Sequence, residues 1–344
     1  MTPSPHFSMS SAGLNPAMSR RRFGGLVLAG AASLLPAACS SNSGGTSGGG
    51  GGSTGGRATT VKVGVIPIVD VVPIYLGIKQ GFFSEQGLNV SLESEEGGAS
   101  IIPAVVSGQY HIGFSNTISV LLASTQGVPL KVLSAGVAST GQTGKDFGAV
   151  IVKSGSPIKS AVDLVGKRVA VNTLKNINTT TVNYVVKQAG GDPSTIQYVE
   201  LAFPDIMSAV AKGDVDAGQV VEPFLTIATG QGDIQVVSNY AGTNPNLTVG
   251  MYFTSQAYLA QSEKAARGFT TGMTKSLEYA SAHPDEARAI LTTYTEIDPT
   301  VQQNLTLPKW PSTISRESVE QLATLAQQDG LISKQPDLAA LLPS

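Results

Sequence analysis

Two segments of this chain carry the same pattern. Aligning Ala104-Val-Val-Ser-Gly-Gln-Tyr-His-Ile-Gly113 with Ala209-Val-Ala-Lys-Gly-Asp-Val-Asp-Ala-Gly218 brings Ala, Val and both glycines into register at a constant offset of 105 residues. Upstream of the first Gly the apolar residues recur at helical spacing: Ile102, Val105 and Val106 in one copy, Met207, Val210 and Ala211 in the other. The Gly stands where a helix ends in left-handed backbone, a conformation Gly adopts at little cost. A short strand follows, then a polar loop, Ser115-Asn116-Thr117 in the first copy and Glu222-Pro223 in the second. A duplicated helix, Gly and strand predicts two α/β lobes that present loops at matching strand ends, where open parallel sheets bind ligands.

At 344 residues the chain is long enough for two lobes of ordinary size. Its 22 basic and 24 acidic side chains nearly balance, which argues against nucleic acid or an anionic membrane surface as a partner. A hydrophobic content of 41% is that of a folded globular protein.

The first 60 residues have a different composition. Ser19-Arg20-Arg21-Arg22-Phe23 precedes an apolar run from Gly24 to Ala38, followed at once by Cys39 and a Ser/Gly tract. A basic start with an apolar segment this short and this rich in Gly and Ala reads as a secretory signal rather than a membrane span. Ser-Arg-Arg-x-Phe resembles the twin-arginine export signal. Pro36-Ala37-Ala38-Cys39 resembles the bacterial lipobox, with Pro36 where Leu is usual. Cys39 is the only Cys, so an exported chain has no disulfide and its one thiol lies between signal and linker. The expectation is a signal peptide over 1–38 and a lipidated Cys39 with a flexible tether over 39–60.

Along the rest of the chain, the pattern predicts strands at Val61–Ile66, Leu88–Leu92, His111–Phe114 and Leu130–Ala135, with helices at Val72–Gln80, from about Ala99, and at Asn116–Thr125. Pro103 is expected in the first turn of its helix. Phe147–Val152 reads as a strand leaving the first lobe. In the second lobe, strands are expected near Val169, Ile196–Glu200, Val215–Gly218 and Ile234–Val237, with helices at Thr179–Ala189, Asp205–Lys212 and near Leu225–Thr229. Leu247–Phe253 is sent back to the first lobe, and a helical pack with Ser315–Gln328 as its last helix closes on that lobe. The first lobe thus comprises 61–150 and 248–344, and the second 151–247.

Several stretches together resemble the type II solute-binding proteins of ABC importers, in the branch serving nitrate, alkanesulfonates, taurine and thiamine-pyrimidine precursors. They are Pro73-Ile-Tyr-Leu-Gly-Ile-Lys-Gln-Gly-Phe-Phe-Ser-Glu-Gln-Gly-Leu88, Ser107-Gly-Gln-Tyr-His-Ile-Gly113, Leu164-Val-Gly-Lys-Arg-Val169, Gly213-Asp-Val-Asp-Ala217, Glu222-Pro-Phe224, His283-Pro-Asp-Glu-Ala287 and Asp329-Gly-Leu-Ile332. The resemblance implies two Rossmann-like lobes joined by two crossover strands and closing by hinge motion on a small solute. It further implies a monomer that hands the solute to a membrane permease and its ATPase, with no cofactor or metal and no chemistry of its own.

By position, the cleft should be lined by Ile68 and Asp70, by Gly97, Gly98 and Ser100, by Ser115, Asn116 and Thr117, by Thr173, Asn176 and Asn178, and by Glu222 with Phe224. Gly98, Asn116 and Asn178 also open helices, whose free N–H groups suit an anion or serve as ordinary N-caps. Arg is absent from Ala58 to Lys167, so the first lobe offers no guanidinium fork for a sulfonate or phosphate. Asp70 and Glu222 favour a ligand with an amino group or protonated ring, and Ile68, Val69 and Phe224 favour an apolar body. A pyrimidine-like solute would qualify; the alternatives are a sulfonate, nitrate or taurine-type anion, or a solvated Asp70 and a hinge contact at Glu222.

The resemblance extends to a yeast pyrimidine synthase, whose cysteine-rich iron site has no counterpart here, because Cys39 precedes the folded domain. His6 lies upstream of the signal, His111 on an expected strand and His283 before a Pro at a helix start. No zinc helix, nucleophile elbow or Walker loop occurs; Gly141-Gln-Thr-Gly-Lys145 has the wrong spacing.

Overall fold

The structure, a computed structural model, describes residues 58–343. The expected export signal, Cys39 and nearly all of the tether lie outside the described residues. Among the described residues ten strands alternate with helices and form two mixed sheets of five strands each. In chain order they are β1 (Thr59–Val65), β2 (Leu88–Ser94), β3 (Ile112–Asn116), β4 (Leu130–Ala138), β5 (Gly148–Val152), β6 (Arg168–Val171), β7 (Gln197–Glu200), β8 (Ala217–Val221), β9 (Ile234–Val237) and β10 (Thr248–Ser255).

The first sheet runs β2-β1-β3-β10-β4 and the second β7-β6-β8-β5-β9. In each, three neighbouring strands pair in parallel and are linked by helical crossovers, as parallel pairing requires. The fourth strand of each sheet is antiparallel and arrives from the other lobe: β10 inserts between β3 and β4, and β5 between β8 and β9. Every residue of β5 and β10 is buried, which their unbroken apolar and small residues permit. β5 lies wholly in the second sheet, so the chain changes lobe before Gly148 and not at residue 150.

The internal repeat has a physical basis in helix-on-strand packing. Gly113 on β3 and Gly218 on β8 each sit beneath a helix, Gly98–Val106 and Phe203–Lys212 respectively. A Cβ on Gly113 would collide with Ile101 Cγ2 and lie 3.0 Å from Val105 Cγ2; one on Gly218 would collide with Ile206 Cγ2 and lie 3.0 Å from Val210 Cγ2. The colliding atoms belong to residues at the same offset as the glycines, so both lobes dock the helix by the same contact. Gly108 and Gly213 end these helices with φ of 79° and 82°, the left-handed backbone that the sequence predicts. Pro103 sits in the interior of its helix and not in the first turn; it is on the exposed face, where water can take the carbonyl it leaves unpaired.

The chain passes between lobes twice, through residues 139–147 and 238–247, and Asp146 ties the two passages together. Its Oδ2 accepts from Ser139 Oγ at 2.6 Å and from the Ala241 N–H at 2.9 Å, while Oδ1 accepts from the N–H groups of Thr140 and Phe147. The C-terminal helices cover the first lobe, Glu263–Ala282 lying against Val72–Lys79 and β4. The helix Arg316–Gln328 reaches further. It packs on Thr117–Thr125 of the first lobe and Ile177–Gln188 of the second, where Asp329 accepts from Asn183 Nδ2 at 2.9 Å and pairs with Lys187 at 3.1 Å. It is not the last helix, since the short Leu338–Leu341 follows and leans on β4.

Candidate functional site

Loops from the carboxyl ends of the parallel strands face one another across the gap between lobes. The gap has two connected parts. An outer cleft of about 850 Å³ is bounded by Gly97 and Ser100 of the first lobe and by Thr173, Phe203 and Phe224 of the second. An inner recess of about 30 Å³, room for one or two waters, is lined by Asp70, Asn116, Asn176, Asn178 and Tyr240 among others. Ile66, Ile68, Asn172 and Phe203 line both parts and form the passage between them.

Asp70 dominates the recess. It lies on a single 3-10 turn, Val69–Val71, directly after β1, and is 4% exposed. Its Oδ1 has no hydrogen-bond partner among the described residues. Burial is the main force on its acidity: it raises the pKa from an ordinary 3.8 to about 7, its own backbone N–H opposing and the charge of Asp146 adding to the rise. An unpartnered buried carboxylate is costly, and a cation or N–H donor placed against it removes that cost.

The second lobe supplies amides. Asn176, and not Asn178, is the N-cap of Ile177–Gln188: its Oδ1 accepts from the N–H groups of Asn178 at 3.0 Å and Thr179 at 3.4 Å. Asn178 stands in the helix's first turn, its Oδ1 accepting from the Tyr240 hydroxyl at 2.5 Å. Asn116 caps Thr117–Thr125 through the Ser119 N–H at 3.0 Å and also accepts from the Ile177 N–H at 3.3 Å, a bond from lobe to lobe. Gly97, not Gly98, is the N-cap of Gly98–Val106, and no side chain caps that helix. Gly98 is buried against Ser115; a Cβ there would collide with Ser115 Oγ and lie 3.0 Å from Ser115 Cα. Ser115 Oγ is buried without a partner among the described residues.

Three expected residues have other duties. Thr117 is buried and donates to the Thr248 carbonyl at 2.7 Å, fixing β10 and not the cleft. Ser100 lines the outer cleft, but its hydroxyl donates to the Gly97 carbonyl at 2.7 Å. Glu222 lines neither part. Its carboxylate accepts from Thr226 Oγ1 at 2.8 Å, the Thr226 N–H at 3.0 Å and the Thr306 N–H at 2.9 Å, and its carbonyl accepts from the Val69 N–H at 3.1 Å. It fastens the second lobe to the first-lobe loop and the C-terminal segment. Burial raises its pKa, against the opposing pull of these bonds. Phe224 does line the outer cleft, stacked on Phe203 with ring centroids 5.6 Å apart.

Phe203, Tyr240 and Asn172 are among the cleft residues that sequence reasoning missed, as are Glu95, Glu96 and Glu200. Tyr240 and Phe203 gave no local sign, because one follows a short loop after β9 and the other opens a helix. The charged residues that line the cleft are Asp70, Glu95, Glu96 and Glu200; among the described residues none that lines it is Lys, Arg or His. His111 stacks on Tyr258 and accepts from the Lys62 N–H, and His283 stacks on Tyr279.

Residues 68–287, well over half of the chain, match the family described as NMT1/THI5 like. The chain belongs to the NMT1/THI5-like family. Among its curated relatives is the taurine-binding periplasmic protein of Escherichia coli K12, 26% identical over 59% of this chain and 61% of that one. The formylaminopyrimidine-binding protein of Halalkalibacterium halodurans is 23% identical over 64% of this chain and 65% of that one. A 4-amino-5-hydroxymethyl-2-methylpyrimidine phosphate synthase of Candida albicans is 21% identical over 70% of this chain and 71% of that one, so this NMT1/THI5-like chain has relatives named as binding proteins and as synthases. The chain spans less than two thirds of the length of the two binding proteins. The solved alkanesulfonate-binding protein SsuA of Xanthomonas axonopodis pv. citri superposes with a TM-score of 0.70 at 17% identity, covering 84% of this chain and 99% of that one. The NMT1/THI5-like chain therefore has the two-lobe periplasmic-binding-protein fold.

Proposed function

We propose that this protein is the solute-binding component of an ABC importer, capturing a small nitrogen-bearing organic solute between its lobes and delivering it to the permease. One observation carries the choice of solute: every charged side chain lining the cleft is a carboxylate, and the most buried of them, Asp70, has an oxygen without a partner among the described residues. The inner recess of about 30 Å³ suits an ammonium or amino head group, and the outer cleft, with Phe203 and Phe224 on its wall, suits a ring or short apolar body. A charge-assisted bond to Asp70 contributes about 1.5–3 kcal/mol, whereas a desolvated anion facing the buried Asp70 carboxylate would lose several.

In this reading the lobes part and close about the two passages held by Asp146, Cys39 carries the lipid anchor on the outer face of the cytoplasmic membrane, and the chain acts as a monomer without cofactor. It performs no reaction of its own. A second reading, capture of a sulfonate, nitrate or taurine-type anion, rests on the uncapped N-terminus of Gly98–Val106 at the cleft edge.

A thermal-shift screen separates the two. A ligand at 100 times its dissociation constant stabilises by about 2.7 kcal/mol. Ethylammonium, 4-aminopyrimidine and related amines are expected to raise the melting temperature, and methanesulfonate and nitrate to leave it unchanged. The reverse order would replace the first reading by the second.

A further inference from the structure

Asn172 follows β6 at the passage between recess and outer cleft, and three bonds decide which way its amide points. The backbone N–H groups of Asn178 and Thr179 can only donate. The side-chain atom of Asn176 that meets them is therefore its oxygen. Asn176 must then turn its NH2 the other way, and that nitrogen lies 3.0 Å from the side chain of Asn172. The atom it reaches is accordingly Asn172 Oδ1, which also accepts from Asn178 Nδ2 at 2.7 Å. With its oxygen held twice, Asn172 has only its NH2 left for the gap. That nitrogen lies 4.0 Å from the place a Cβ on Gly97 would occupy, on the opposite wall, and has no acceptor among the described residues.

We infer that Asn172 is a specificity-determining residue that presents only hydrogen-bond donors to the solute, so that the solute carries an acceptor beside the N–H it gives to Asp70. This rests on the reading of Asp70 as the amine partner. The two residues line the same recess with opposite polarity, a donor face on the second lobe and an acceptor on the first. A simple alkylamine satisfies one wall and leaves the other unmet. An amine with a ring nitrogen, carbonyl or acid oxygen within reach satisfies both, and a site built to bond such a group discriminates strongly against an analogue that lacks it.

Asn172→Asp tests this with almost no change in shape. The carboxylate keeps one oxygen for Asn176 and Asn178 and replaces the NH2 with an acceptor. Titration calorimetry uses ethylammonium as the donor-only probe, and 4-aminopyrimidine and β-alanine as probes with both groups. The wild type is expected to hold at least one two-group probe about tenfold or more tighter than ethylammonium, the ratio one charge-assisted bond gives. Asn172→Asp is expected to erase that advantage while holding ethylammonium as tightly as before or more so. A variant that keeps the wild-type ratio overturns the inference and leaves the reading of Asp70 standing. A wild type that binds none of the three overturns both. The melting temperature of the variant without probe checks its folding; if it melts early, Asn172→Ala must lose the same advantage, and retention of it is equally fatal.

Discussion

Asp70 concentrates the chemistry of the cleft in one side chain. Its folded pKa of about 7 stands above its ordinary value of 3.8, so the folded protein holds that proton more tightly than the unfolded chain. The associated stability is fully present below about pH 4 and is lost as pH rises through 7, on the order of 4 kcal/mol in all. Asp70→Asn removes the titration. Denaturant melts between pH 4 and 8 are therefore expected to find the variant gaining on the wild type as pH rises, and a constant difference would contradict the burial argument. An amine seeks the ionised form, so wild-type affinity for ethylammonium should rise about tenfold from about pH 6 to about pH 8, and Asp70→Asn should lack that rise. Asp70 was legible in the sequence because it stands one turn beyond a strand end. Glu222 was legible as a loop carboxylate with an inter-lobe contact as one of its two readings, but its partner Thr306, 84 residues further on, was not. Asn172 was hidden for a related reason: its meaning comes from the mutual orientation of three amides, which spacing does not encode.

At the scale of elements, the duplicated unit is the part the sequence exposed most clearly. Glycine is needed on β3 and β8 because a helix crosses each strand too closely for a Cβ, and Ile101 and Ile206 fill the same place in the two lobes. Gly113→Ala and Gly218→Ala are each expected to cost about 1–3 kcal/mol through overpacking. Adding Ile101→Leu or Ile206→Leu, which removes the Cγ2 in the way, should restore part of the loss in the same lobe and none in the other. Denaturant unfolding of the two single and two double variants checks it; equal rescue from either lobe would contradict local packing. Helix starts were less legible than helix ends. Asn176 and Asn178 are both good caps by type, and only the backbone bonds choose the earlier one. The strand boundaries at β5 and β10 depended on which sheet captured each strand, a question of tertiary pairing.

Across the whole molecule, two sheets of matching strand order face one another, and the chain exchanges one antiparallel strand in each direction between them. Both passages meet at Asp146, which accepts from Ser139 in one and from Ala241 in the other. The helix Arg316–Gln328 spans the lobes as well, a feature that no periodicity announces because its apolar face meets two different helices. A crystal structure of the protein with the amine that most raises its melting temperature decides whether Asp70 holds the solute. An N–H of the solute within about 3 Å of Asp70 Oδ1, with the rest of the molecule in the outer cleft, is the predicted result. A solute whose anionic oxygens sit on the start of Gly98–Val106, with Asp70 left untouched, would contradict it.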